Sequence, residues 1–237
     1  FRSGRLGSAM DCPLRYLYLI GNYVFPRRWA QWDAVRGHEL LYSTFGIHPN
    51  LCSSSGVVST HRAELVQRLL AKRCVGLGEI GLDYFRIPRG AGRFHQRSQF
   101  EELLRLRPDH LPVVIHCRGE GALDDCLEIL RQQLRPPTVA VQVHCFLGDD
   151  VEVRRWIQAV PNVVFSLGPR SLSLAGDEAA GHERAVRGLP LDRIVLETDA
   201  PYLQHPGRVL AWAGSTPSPR SDLYAVGQWV GRLKGLC

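Results

Sequence analysis

Residues Val75–Phe85 read V-G-L-G-E-I-G-L-D-Y-F, and no other stretch of the chain restricts the fold as strongly. The run opens as an apolar, glycine-rich strand and closes on two carboxylates, Glu79 and Asp83, followed by aromatics. Strand side chains alternate with a period of two, which predicts Glu79, Gly81 and Asp83 on one face. An inward glutamate on a buried strand is costly unless a cation meets its charge. In a parallel α/β barrel, catalytic groups gather at the carboxyl ends of the strands. The pattern therefore asks for a metal ion or an arginine cluster beside Glu79.

The rest of the chain alternates short apolar runs with segments of helical period. Strands are expected at Arg15–Asn22, Leu40–Ile47, Pro112–Cys117, Val139–Cys145, Asn162–Leu167 and Ile194–Thr198, the first of them buried. Helices are expected from Pro26 to about Arg36, at Ser59–Arg73 behind a Ser59 cap, and at Phe94–Arg107. Further helices follow from Gly121 to about Leu134 and at Asp149–Val160, Glu178–Gly188 and Ser221–Lys234. Arg86–Gly92 and Gln204–Pro219 read as loops. No linker-like break interrupts this order, which predicts one domain over 1–237 with a mostly parallel sheet. Polar residues closing nearly every strand favour a barrel over a doubly wound sheet. Seven strands are expected, one short of eight, so the expected fold class is α/β, an incomplete (β/α)8 TIM-type barrel.

Composition supports one sizeable core, at 237 residues and 45% hydrophobic. The formal net charge is +6, and only Lys72 and Lys234 are lysines, so nearly all of the positive charge is arginine. Arginine suits bidentate phosphate contact, which raises the expectation of a phosphate-bearing or nucleic-acid substrate modestly. Seven cysteines without CxxC spacing fit buried thiols in a reducing compartment. The expected location is accordingly intracellular, cytoplasmic or nuclear, and the expected state a monomer. No run approaches a membrane-spanning apolar length, so no membrane partner is expected.

Five expected strands end in ionisable residues: His48, Glu79 with Asp83, His116 with Arg118, His144, and Glu197 with Asp199. A single histidine at a strand end is usually structural. Several at successive strand ends are harder to explain so, because each would need its own buried partner. Imidazoles with carboxylates are the ligand set of hydrolytic divalent-metal sites, and zinc, manganese and magnesium all fit chemically.

In order along the chain, G-E-I-G-L-D-Y at Gly78–Tyr84, V-I-H-C-R at Val114–Arg118, H-C-F at His144–Phe146 and E-T-D-A-P-Y at Glu197–Tyr202 resemble the TatD-related deoxyribonucleases. G-I-H-P at Gly46–Pro49 is similar too. The resemblance implies a divalent-metal-dependent nuclease acting on DNA, with two metal ions in the complete family site. It implies that Glu79 bridges the two ions and that His116 and His144 ligate one of them. Asp199 falls on the carboxylate that binds the other and helps deprotonate the attacking water, and His48 on the histidine beside the scissile phosphate. Arg118 and Arg86 are expected at substrate phosphates, and Asp83 and Glu197 as groups that orient the ligands.

One departure stands out. The family's first strand ends in His-x-His, which occurs nowhere in this sequence, and the chain opens on Phe1. The expectation is a chain truncated upstream and impaired in activity. The alternative is a catalytically silent barrel that binds nucleic acid or a partner.

Overall fold

The computed structural model describes residues 18–85, 87–200 and 219–236. They fall into two compact units. Described residues of the first lie within Leu17–His144 and Arg155–Val164; those of the second lie within Cys145–Arg154 and from Phe165 onward.

The first unit repeats one motif, strand then helix. It holds β1 (Leu19–Tyr23), α1 (Trp29–Val35), β2 (Leu41–Phe45), α2 (Val57–Leu69), β3 (Cys74–Asp83), α3 (Ala91–Arg105), β4 (Val113–Arg118), α4 (Ala122–Gln133) and β5 (Val141–Val143). Each strand pairs in parallel with the next in sequence, from β1 to β5. Parallel neighbours need crossovers, and the helices supply them. Trp29, Trp32, Phe45, Leu65, Leu77 and Phe100 are all but fully buried and form the centre of this core.

β3 is buried along almost its whole length, and its glycines explain how it fits. A Cβ on Gly81, at φ +137°, would lie 2.1 Å from the His116 carbonyl oxygen of β4. Between the pairs Gly78↔Val114 and Ile80↔Ile115 the register shifts, leaving Glu79 without a partner on β4. Glu79 is thus the extra residue of a β-bulge, a device that re-aims a side chain.

The second unit contains the parallel pairing of β6 (Val163–Leu167) with β7 (Ile194–Leu196) through Phe165↔Ile194 and Leu167↔Leu196. With it go α6 (Gly176–Gly188) and α7 (Pro219–Leu233); α5 (Asp150–Ala159) precedes β6 in the chain. Its core includes Phe146, Phe165, Leu167, Val186 and Val226. His182 is buried there, with Nδ1 3.0 Å from the Gly148 carbonyl, Nε2 3.1 Å from Ser171 Oγ, and its ring stacked on Trp229.

Several expected boundaries move for identifiable reasons. The first strand is not buried: Tyr18 is 63% and Ile20 61% exposed, because among the described residues β1 pairs with β2 alone. α2 starts at Val57, ahead of Ser59, behind a left-handed Gly56. Its first amide is capped from afar: buried Gln99 on α3 accepts from the Val58 N–H at 3.0 Å. β5 and β7 are three residues each, shorter than the apolar runs that signal them. Part of Arg15–Asn22, the residue Arg86 and most of Gln204–Pro219 lie outside the described residues.

Candidate metal centre

Three adjacent strands of the first unit converge their polar ends. Glu79 comes from the β3 bulge, His116 from β4, and His144 directly follows β5, its backbone N–H donating to the Ile115 carbonyl at 2.8 Å. Glu79 Oε2 lies 3.6 Å from His116 Nδ1 and 3.5 Å from His144 Nε2. Around a tetrahedral ion with ligand bonds of about 2.0–2.1 Å, neighbouring ligand atoms stand roughly 3.4 Å apart. Each of these two pairs is therefore spaced to share a cation.

The other face of His116 gives the sharper test. Its Nε2 is 3.3 Å from Asp83 Oδ2, yet the alignment is not that of a hydrogen bond, and Nε2 is buried without a hydrogen-bond partner. A carboxylate this close to Nε2 is the arrangement that orients an imidazole whose opposite nitrogen, Nδ1, is turned to a cation. Charge points the same way. Glu79 and Asp83 are each 6% exposed. Burial pushes both carboxyl pKa values up, but the facing imidazoles more than offset it and hold them below their ordinary values. Burial likewise opposes a proton on His116, and Asp83 with Glu79 overcomes it. Two buried carboxylates ringed by imidazoles form an environment whose negative charge a divalent cation would neutralise.

His48 belongs to the same group: ligand-capable atoms of His48, Glu79 and His116 lie within 4.8 Å of one another, and the rings of His48 and His116 meet edge to face at 4.6 Å. Its role differs from that of His116. Burial, with His116 adding to it, drives the His48 pKa down to about 4, so the ring is neutral. Nδ1 accepts the Asn50 N–H at 3.2 Å, which leaves the proton on Nε2. In that tautomer His48 is a hydrogen-bond donor toward the site.

The remaining expected residues have the following contacts within their own units. Asp83 touches His116 and, through Oδ1, accepts the Phe85 N–H at 3.1 Å. Arg118 closes β4 with its guanidinium 4.1 Å from the centre of the Phe85 ring. Glu197 and Asp199 belong to the second unit. There Glu197 Oε1 accepts the Cys145 N–H at 2.7 Å, and Oε2 accepts from Ser166 Oγ. Cys145 and Asp199 both take left-handed backbone conformations, at φ 46° and 47°, which non-glycine residues seldom adopt outside functional turns.

Two residues of the site escaped the sequence reading. Asn22, at the carboxyl end of β1, donates from Nδ2 to Glu79 Oε1 at 3.3 Å. Its Oδ1 accepts from Thr44 Oγ1, on β2, at 2.7 Å. The available signal was polarity where a strand should be apolar: Thr44 is 3% exposed in the L-Y-S-T-F run of β2.

Histidines and carboxylates at the carboxyl ends of successive parallel strands define the class of metal-site α/β hydrolases. The sequence pattern of the TatD-related DNase family matches residues 24–217. A protein of Pantoea sp. strain At-9b named 3'-5' ssDNA/RNA exonuclease TatD is 31% identical over 199 residues, 82% of this chain and 71% of that protein. The human protein named 3'-5' RNA nuclease TATDN2 is 31% identical over 194 residues, 80% of this chain. The chain spans 24% of that human relative's length. YjjV, a TatD homologue of Escherichia coli, has a crystal structure matching 92% of this chain and 78% of its own, with TM-score 0.71 and 25% identity. The chain belongs to the TatD-related DNase family. Its fold is accordingly of the (β/α)8 TIM-barrel class, with seven strands among the described residues.

Proposed function

We propose that this chain binds a divalent cation through Glu79, His116 and His144 and hydrolyses phosphodiester bonds of single-stranded nucleic acid. The observation that carries the reading is Glu79 Oε2 facing two imidazoles at 3.5 and 3.6 Å, with Asp83 against the far nitrogen of one of them. Relatives named as ssDNA/RNA and RNA nucleases support the substrate class. Divalent ions supply charge neutralisation at the phosphate and activation of water in such sites.

The chain's own groups have separable tasks. Glu79 presents one oxygen to the cation while Asn22 holds the other. Asp83 orients His116, as carboxylates beside metal-binding histidines do. Neutral His48 donates Nε2–H to a non-bridging phosphate oxygen of the bond under attack. Arg118 offers a guanidinium to a neighbouring phosphate. Asp199 is assigned to a second cation, and to proton removal from the attacking water, on its E-T-D motif alone. Zinc, manganese and magnesium each suit the nitrogen and oxygen donors, with zinc favoured by the imidazoles.

The test is cleavage of end-labelled single-stranded DNA and RNA by the purified chain with each of the three metals, with metal content measured in parallel. We expect metal-dependent shortening of the strand that chelator stops and Glu79→Gln removes. Bound metal without cleavage of either strand would leave a binding module in place of an enzyme. Neither metal nor cleavage would overturn the assignment.

A further inference from the structure

We propose that Phe85 and Arg118 form a nucleobase-stacking subsite at the border of the metal centre, gripping one base of a single-stranded nucleic acid by its flat face. The proposal rests on the nuclease reading above and names a part of the substrate that the hydrolytic groups do not touch. Phe85 lies two residues beyond the strand that carries Glu79 and Asp83, and it is 57% exposed. Scattered exposed apolar residues are ordinary on protein surfaces. This one is unusual in how firmly it is held and in what it is held against.

Several contacts hold the backbone that carries it. The Phe85 N–H donates to Asp83 Oδ1 at 3.1 Å, and the other oxygen of the same carboxylate lies 3.3 Å from His116 Nε2. One carboxylate thus touches both the backbone of Phe85 and a metal-binding imidazole. The preceding residue is pinned as well: the Tyr84 N–H donates to the Arg118 carbonyl at 2.7 Å, and Tyr84 Oη donates to Asp125 Oδ2 at 2.7 Å. Gly119, at φ +96°, lets the segment after β4 press against this backbone, since a Cβ there would stand 2.5 Å from the Phe85 nitrogen. The backbone that carries the ring is therefore held in place.

Its companion defines the ligand. The Arg118 guanidinium lies 4.1 Å from the ring centre, within cation–π range, and Arg118 itself is exposed. A planar cation on a phenyl ring offers π surface for a base together with donors for the phosphate that follows it. A chain carrying +6 net charge, nearly all arginine, is electrostatically suited to such a polyanion. An aliphatic partner would use the ring but gain nothing from the guanidinium. Stacking tolerates every base, so the subsite would position the strand without reading its sequence.

The experiment measures binding, with chelator present so that no strand is cleaved. Fluorescence anisotropy of the full chain is recorded with a labelled oligothymidine and with an abasic strand of equal length. Stacking on an aromatic typically changes affinity by about fivefold to 150-fold per base, and partial exposure of the ring places the expectation near tenfold. Phe85→Ala should lose about tenfold on the thymidine strand and leave the abasic strand unchanged, while Phe85→Trp restores binding. Arg118→Gln should weaken both strands. Equal binding of parent and Phe85→Ala to the thymidine strand, or equal losses on the two strands, would overturn the stacking role and leave the nuclease reading standing. A parent chain that binds neither strand would overturn both.

Discussion

Replacing Asn22 is expected to loosen the metal centre without touching a ligand. Asn22→Ala removes the amide that donates to Glu79 Oε1 at 3.3 Å, and with it the acceptor of the Thr44 hydroxyl at 2.7 Å. A hydrogen bond to a charged group contributes about 1.5–3 kcal/mol. The long donor–acceptor distance and the exposure of Asn22 place this one at the lower bound, so metal affinity should fall roughly tenfold. Thr44→Val leaves the amide in place but free to turn, and the expected loss is smaller, roughly threefold. Asn22→Asp acts in the opposite direction. A third carboxylate beside Glu79 and Asp83 destabilises the metal-free fold by like-charge repulsion and tightens cation binding. The assay is competition with a chromogenic chelator for zinc and for manganese, alongside urea unfolding of the metal-free proteins. Unchanged affinity in both Asn22→Ala and Thr44→Val, each still folded, would show that the relay from β2 through β1 does not hold the Glu79 carboxylate.

Three further expectations follow from the geometry. Glu79→Gln should weaken metal binding by more than about 100-fold, and by more than His144→Gln, because one Glu79 oxygen faces both histidines; calorimetric titration showing equal losses would count against a shared carboxylate. Gly81→Ala forces a Cβ to within 2.1 Å of the His116 carbonyl at a φ of +137°, and should cost about 3 kcal/mol or more in urea unfolding; a loss under about 1 kcal/mol would mean β3 and β4 separate easily. His182 has its pKa lowered, chiefly by burial, so the unfolded chain takes up its proton first as pH falls below about 6.5. Its contribution is therefore full above that pH and declines below it; parallel stability–pH curves for the parent and His182→Gln would refute this.

Much of the fold was legible because the dominant signals are local. The apolar runs within Val113–Arg118 and Val163–Leu167 are short, rich in β-branched residues and followed by helical periods, which points to parallel crossovers. What was not legible depended on distant partners. The start of α2 is set by Gln99, which is 4% exposed and sits 41 residues from the amide it caps. No Ser59 rule can anticipate that. The exposure of β1 likewise depends on which strands flank it, and an aromatic run such as Y-L-I reads the same at an edge as in a sheet centre.

The metal centre was legible to the extent that chemistry and strand position coincide. His116 and His144 stand near or just beyond a strand's carboxyl end and Glu79 inside a buried strand, places where a polar residue in apolar sequence is conspicuous, and motif order gathers them despite their separation in the chain. Asn22 occupies the same kind of position on β1, yet a lone amide carries no charge to raise suspicion. Its meaning comes only from Glu79 Oε1 at 3.3 Å, and that contact exists because the β3 bulge takes Glu79 out of the ladder with β4. A strict period of two places Glu79 and Asp83 on one face but cannot reveal the extra residue between Gly78 and Ile80. The bulge gives Glu79 two differently engaged oxygens, one toward the histidines and one toward an amide. A carboxylate held by its second oxygen keeps the first at a fixed angle to both imidazoles. The least conspicuous residue of the site is therefore the one expected to set its geometry.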